Sequence, residues 1–100
     1  MKLVEAADEA AGELVIAALG PLTNLALACK LDSKLPSKIK RLVIMGGAER
    51  QGNITPCAEF NFHADIHAAQ LVGQSLFSTS QVPVWLTMRL HVVLSACRQM

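Results

Sequence analysis

The chain has 100 residues, of which 52% are apolar, 17% charged and 4% aromatic, with nine basic against eight acidic side chains and no tyrosine. That length sets one domain as the ceiling, the apolar content excludes disorder for most of the chain, and a net charge of +1 is too small to drive phosphate-backbone binding, so nucleic acid is not an expected partner. The longest clean apolar run, Leu14 to Leu19, is far shorter than the ~18–20 residues of a membrane span, so no membrane association is expected either.

Met1-Lys2-Leu3-Val4 runs directly into Glu5, Asp8 and Glu9, unlike the basic-then-apolar start of a secretory signal, and the chain reads as cytoplasmic. Three widely spaced cysteines, Cys29, Cys57 and Cys97, with no Cys-x-x-Cys pairing, fit idle thiols in a reducing compartment. Val4 to Ala11 is Ala-rich with interspersed acids and predicts a helix ending at Gly12. Leu14 to Leu19 is too short for a helix and does not alternate, which predicts a parallel strand covered on both faces. Gly20-Pro21 then turns the chain into a helix: proline fixes φ near the helical value and lacks only an N–H that the first turn leaves unpaired. Leu22, Leu25, Ala26 and Cys29 continue at helical spacing to about Leu31.

Lys30 to Arg41 carries five basic residues and one acid, broken by Pro36, and without aromatics it reads as a solvated linker and not a phosphate patch. Leu42 to Met45 predicts a second buried strand, stopped by Gly46-Gly47. Asp65 precedes Ala68, Ala69, Leu71 and Val72, predicting a helix capped by Asp65 that runs to about Leu76. A loop over Ser75 to Gln81 and a last strand over Val82 to Met88 complete the order α-β-α-β-loop-α-β. This is an α/β pattern: part of an open, mostly parallel sheet with flanking helices, in a single domain whose last residues, 77–100, diverge.

In such sheets ligands bind at the carboxyl ends of the strands. Two ends can be placed, Leu19-Gly20 and Met45-Gly46-Gly47, and the loop after the second holds the densest polar cluster: Asn53, Thr55, Glu59 and Asn61. Glu59 and Asn61 share a side if their segment is extended, and a carboxylate beside an amide suits a polyhydroxylated ligand such as a sugar, with Phe60 and Phe62 keeping the site partly dry. By pattern alone the plainer reading is a solvated loop, because Asn, Thr and Gly are ordinary loop residues. His63 and His67 have metal-ligand spacing only if both sit on one helix, and a cap at Asp65 leaves His63 outside it. Neither glycine-rich phosphate motif occurs, so a dinucleotide-binding domain loses for want of its fingerprint.

Three blocks, Ala18-Leu19-Gly20-Pro21-Leu22-Thr23-Asn24-Leu25-Ala26, Val43-Ile44-Met45-Gly46-Gly47-Ala48 and Gly52-Asn53-Ile54-Thr55-Pro56-Cys57-Ala58-Glu59-Phe60-Asn61, resemble in order and spacing the inosine-uridine preferring nucleoside hydrolases. The resemblance covers about residues 14–72. It implies a Rossmann-like nucleoside hydrolase core, here as a fragment, and cleavage of the N-glycosidic bond of ribonucleosides with a bound calcium ion and a water nucleophile. It makes Asn53, Glu59 and Asn61 ribose-contacting residues, puts Met45 and Phe60 along the sugar pocket, and gives the backbone carbonyl of Leu19 to calcium. The family's aspartate-rich signature D-x-D-x-G-x-D-D, which carries most calcium ligands and the general base, does not occur, so no catalytic residue is assigned within this chain. Ile66 stands where the family usually has proline, and Trp85-Leu86-Thr87-Met88-Arg89-Leu90 lacks the family's Asp-containing strand end. The alternative is a non-catalytic homologue that binds a nucleoside weakly or serves as an interaction module, with self-association through open strand edges.

Overall fold

The structure is a computed structural model that describes residues 1–48, 51–77 and, for the backbone, 84–87. Helix α1 spans Lys2–Glu9, strand β1 Leu14–Ala18, helix α2 Thr23–Leu31, short helix α3 Leu35–Lys38, strand β2 Ile39–Met45, helices α4 and α5 Phe60–Ala64 and Ile66–Val72, and strand β3 Val84–Thr87. A single π turn over Gly73–Phe77 continues α5, so the helical path reaches the expected end near Leu76. The strands form one parallel sheet in the order β1-β2-β3, with β2 in the centre. Of the predicted last strand the four central residues are strand; Val82, Pro83 and Met88 lie outside the described residues, as do most of the expected loop after Ser75, Cys97 and His91.

Strand β2 explains its own irregular sequence. The apolar residues Ile39, Leu42 and Ile44 do not alternate, yet all three are buried. The register with β1 steps from Leu14↔Ile39 to Val15↔Arg41, so Lys40 is an extra, bulged residue that brings Ile39 and Leu42 to the same side. Lys40 then pairs with Glu13 outside the sheet. The helices pack on this side: Leu22, Leu25, Ala26 and Cys29 of the α2 region and Ala68, Val72 and Leu76 form one core with Leu42 and Ile44, and Ile16 and Ala18 of β1 lean against it.

Three expectations change. The stretch before β2 is not only linker: Leu35–Lys38 is a helix turn with Pro36 at its start, where proline costs nothing. Two of its basic residues are held by protein carboxylates: Lys40 by Glu13, and Lys38 by both Asp8 and Asp32, which ties α1 to the end of α2. Finally, β1 is not covered on both faces; its burial alternates, Val15 is 56% exposed and Leu19 just beyond it 70%. An unbroken apolar run demands cover on both sides, but the sequence cannot specify that both covers lie within these residues. Among the described residues no helix is long and apolar enough to cross a membrane.

Candidate functional site

The carboxyl ends of β1 and β2 lie side by side because Ala18 pairs with Ile44, which leaves Leu19 and Met45 as the last residues before each strand gives way to loop. Above them sits α4, an element of five residues that no periodicity announced. It exists because every backbone N–H of its first turn is given an acceptor. Asn53 Oδ1 accepts from the Phe60 N–H at 2.7 Å across a seven-residue loop. Glu59, in extended conformation at the cap, accepts from the N–H groups of Asn61 at 2.9 Å and Phe62 at 3.0 Å, and its carbonyl accepts from His63.

The loop before it is closed just as tightly. The Ala58 carbonyl accepts from the N–H groups of Asn53, Ile54 and Thr55, while Thr55 Oγ1 accepts from Cys57 and Ala58. Gly52 is required there, since a Cβ would stand 2.0 Å from the Ala58 carbonyl oxygen. Glu59 also reaches back to the sheet: its Oε2 accepts from the Gly47 N–H at 3.0 Å. Phe62 lies over the same Gly46-Gly47 pair, where a Cβ on Gly46 would be 2.7 Å from its ring.

Asn61 completes the construction. Its side chain, 5% exposed, donates from Nδ2 to the Met45 carbonyl at 2.7 Å, with the Met45 sulfur and the Leu19 carbonyl each at 3.5 Å. One amide therefore touches both strand ends. The expectation that Glu59 and Asn61 share a side of an extended segment is corrected: the helix begins at Phe60, so Glu59 folds back on backbone N–H groups while Asn61 turns toward the strands. Both are buried and both serve the fold, whereas Phe60 and Met45 present exposed apolar surface beside them. Beside Glu59 a cavity of about 430 Å³ is lined by Gly47, Ala58, Glu59, Phe62, His63 and Gln70 among others.

Asp65 caps α5 as expected, accepting from the Ala68 N–H at 2.9 Å, and also accepts from Thr23 Oγ1 at 2.6 Å. The Thr23 hydroxyl, then the Ala68 N–H, hold its carboxyl below the usual carboxylate range. His63 lies in α4 and His67 in α5, on either side of the break at Asp65, so the two are not on one helix. Cys29 is buried, and burial, then the nearby Asp32 charge, pushes its thiol up; Cys57 is exposed. The sequence places Phe62 as a flanking ring and Gly46 at a strand end, but it does not mark Thr23 as a site residue or show that Phe62 seats on Gly46-Gly47. The signal available for Thr23 was a hydroxyl in the first turn after a strand end, and for Gly46 a paired glycine at the next one.

For the calcium that the resemblance implies, the residues described supply one main-chain oxygen, that of Leu19, against the ~6–8 oxygens such an ion takes. No group of three or more His, Cys, Asp or Glu is gathered among the described residues where it could hold a metal. These residues do not fit a calcium ion by themselves.

Over residues 1–99 the chain matches the family described as inosine-uridine preferring nucleoside hydrolase, well beyond the three motif blocks. It is 54% identical over 74 residues to "Probable uridine nucleosidase 2" of Oryza sativa subsp. japonica, covering 73% of this chain and 22% of that one. It is 47% identical over 91 residues to "Uridine nucleosidase 1" of Arabidopsis thaliana, covering 90% and 27%. Among solved structures, a plant nucleoside hydrolase, the PpNRh1 enzyme, superposes with a TM-score of 0.77 at 34% identity over 86% of this chain and 26% of its own. The chain thus spans about a quarter of the length of the relatives it matches.

Proposed function

The chain belongs to the inosine-uridine preferring nucleoside hydrolase family, and from that premise we propose that it forms part of a nucleoside N-ribohydrolase, contributing one wall of the ribose site. The observation that carries this reading is the Asn61 amide spanning the ends of β1 and β2 beneath a helix whose cap is itself made of polar site residues. Fixed amides and carboxylates at strand ends are suited to ribose hydroxyls, which donate and accept. Glu59 accepts three N–H groups out of roughly four lone-pair directions, which leaves one on Oε1 for a hydroxyl. Asn53 is exposed at the same cap, its Oδ1 held by the Phe60 N–H, and Met45 and Phe60 give the sugar ring an apolar seat.

Loss of the base from a ribonucleoside passes through an oxocarbenium-like ribosyl cation. Contacts to ribose hydroxyls that strengthen as the ring flattens lower the barrier more than they aid ground-state binding. In this chain that role falls to Glu59 and Asn61, already immobilised by the fold and hence costing little ordering on binding. The Leu19 carbonyl is the one oxygen the described residues would lend to a calcium ion.

The test is an NMR titration of the ¹⁵N-labelled 100-residue chain with ribose, inosine and uridine, alongside an assay of sugar release with calcium present. The expected result is a common response at the Asn53 and Asn61 side-chain amides to all three ligands, and no turnover. No response at millimolar ligand overturns the ribose site; calcium-dependent turnover that survives chelation and add-back overturns the donor-set reasoning. A second reading is favoured by the exposed Val15 and Leu19, namely a non-catalytic module that associates with itself or another chain through the open face of the sheet. Concentration-dependent light scattering without any ribose response is its signature.

A further inference from the structure

The site has an asymmetry that its own residues do not explain. Helix α4 is fastened to β2 twice, by Glu59 on the Gly47 N–H at 3.0 Å and by Asn61 on the Met45 carbonyl at 2.7 Å. Among the described residues its one hydrogen bond to the end of β1 is long, from Asn61 Nδ2 to the Leu19 carbonyl at 3.5 Å, the outer limit for such a bond. Something else has to set how far the end of β1 stands from Asn61.

We propose that Thr23 and Asp65 are a positioning pair that sets this gap and with it the width of the ribosyl site, an inference that rests on the ribose reading above. Thr23 opens α2, four residues past Leu19, and so moves with the end of β1. Asp65 is both the last residue of the α4 turn and the cap of α5, with extended-side backbone angles (φ −149°, ψ 84°) that break the two helices apart. One carboxylate therefore joins three parts: Oδ2 takes the Thr23 hydroxyl at 2.6 Å, Oδ1 takes the Ala68 N–H at 2.9 Å, and its backbone ends α4. The core behind this joint is apolar, with Leu22, Leu25 and Ala26 in one cluster with Ala68 and Val72, and the hydrophobic term that holds it is non-directional, so it does not by itself fix the distance between the two helix ends. A short, directional hydrogen bond does.

The Thr23 hydroxyl lies at the surface, so its removal leaves no buried group unpaired and has little effect on stability. What is lost is position. That separation makes the pair testable on the 100-residue chain with T23V, which removes the hydroxyl but keeps the bulk, and T23S, which keeps the hydroxyl but removes the methyl. The readouts are thermal melting, the NMR resonances of the Asn61 side-chain amide, the backbone amides of Gly47 and Phe62 that report the Glu59 cap, and ribose affinity from titration.

For T23V the expected result is near wild-type melting, unchanged Gly47 and Phe62 resonances, a displaced or broadened Asn61 side-chain amide, and ribose affinity lowered several-fold. T23S is expected to restore both the Asn61 signature and the affinity. Identical Asn61 resonances in T23V and wild type overturn the proposal. So does a T23S chain whose Asn61 side-chain amide is displaced or broadened relative to wild type, because the methyl contact and not the hydrogen bond would then set the position; this arm is read against wild type and decides the matter even if T23V fails to fold. If the wild-type chain shows no response to ribose, the ribose reading fails while the Asn61 signature still decides whether the pair positions it.

Discussion

Truncating Glu59 to alanine tests the claim that this carboxylate organises the loop between β2 and α4. In the folded chain its two oxygens accept from Gly47 at 3.0 Å, Asn61 at 2.9 Å and Phe62 at 3.0 Å, and the residue is 8% exposed. A hydrogen bond to a charged acceptor is worth roughly 1.5–3 kcal/mol and loss of a capping side chain roughly 0.5–2 kcal/mol, but the three bonds share one anion and do not add. Water entering from the adjoining cavity of about 430 Å³ recovers part of the loss. The expected destabilisation for Glu59→Ala is therefore about 3 kcal/mol, a large part of the ~5–15 kcal/mol that holds a domain together. Glu59→Gln keeps one oxygen, which can serve Gly47 and Phe62, but turns an N–H₂ toward the Asn61 N–H, so about half that loss is expected. Urea unfolding gives the free energies, and hydrogen exchange at Gly47, Asn61 and Phe62 shows whether the loss is local. A Glu59→Ala chain within about 0.5 kcal/mol of wild type, with those three amides as protected as before, refutes the reasoning.

Gly46→Ala is expected to cost about 1–3 kcal/mol by overpacking, because its Cβ would meet the Phe62 ring at 2.7 Å, while Gly20→Ala, with nothing within 4 Å, stays within about 0.5 kcal/mol of wild type; parallel urea titrations check both. Lys38→Met is expected to alter how stability depends on pH. In the wild type the Lys38 ammonium, then the Lys34 N–H, hold the Asp32 carboxyl below its ordinary range, a contribution that is present at neutral pH and lost as pH falls through the folded value, so the gap in melting temperature between wild type and variant should close on acidification. The Lys38 ammonium is itself raised, by Asp32 first and Asp8 second, so the same gap should also close as pH climbs past the ordinary lysine range, and a gap independent of pH would refute both assignments.

What was legible in the sequence was what local chemistry decides. The apolar runs of β1 and β2, the turn at Gly20-Pro21 and the Asp65 cap each announce themselves within a few residues. Helix α4 did not, because Phe60–Ala64 has neither length nor periodicity and one of its caps, Asn53, acts across a loop. The Lys40 bulge was equally hidden, since it is visible only once β1 supplies a register for β2 to miss. For the candidate site, the residue types were legible and their partners were not: Glu59 and Asn61 stand near a strand end as expected, yet alternation assumed an extended segment where a helix starts. The Thr23–Asp65 bond spans 42 residues, and nothing in either neighbourhood indicates the other.

The saturation of α4 bears on which ligands suit this end of the sheet. A helix N-terminus beside a strand end is ordinarily a ready anion site, because its first N–H groups are unpaired and its dipole is positive. Here Asn53 takes the Phe60 N–H, Glu59 takes those of Asn61 and Phe62 with its carboxylate and that of His63 with its carbonyl, and Glu59 takes Gly47 as well. The anion that such a terminus would welcome is already built in, as a side chain. A phosphorylated sugar would meet a fixed carboxylate where it needs donors, and like charges at contact distance in a half-buried site repel strongly. A neutral ribose meets instead one open carboxylate lone pair and the amide groups of Asn53 and Asn61, which its hydroxyls can satisfy as donors and acceptors at once. The same capping bonds that create so short a helix therefore leave its N-terminus with a carboxylate already in place and no N–H of its first turn free for an outside anion.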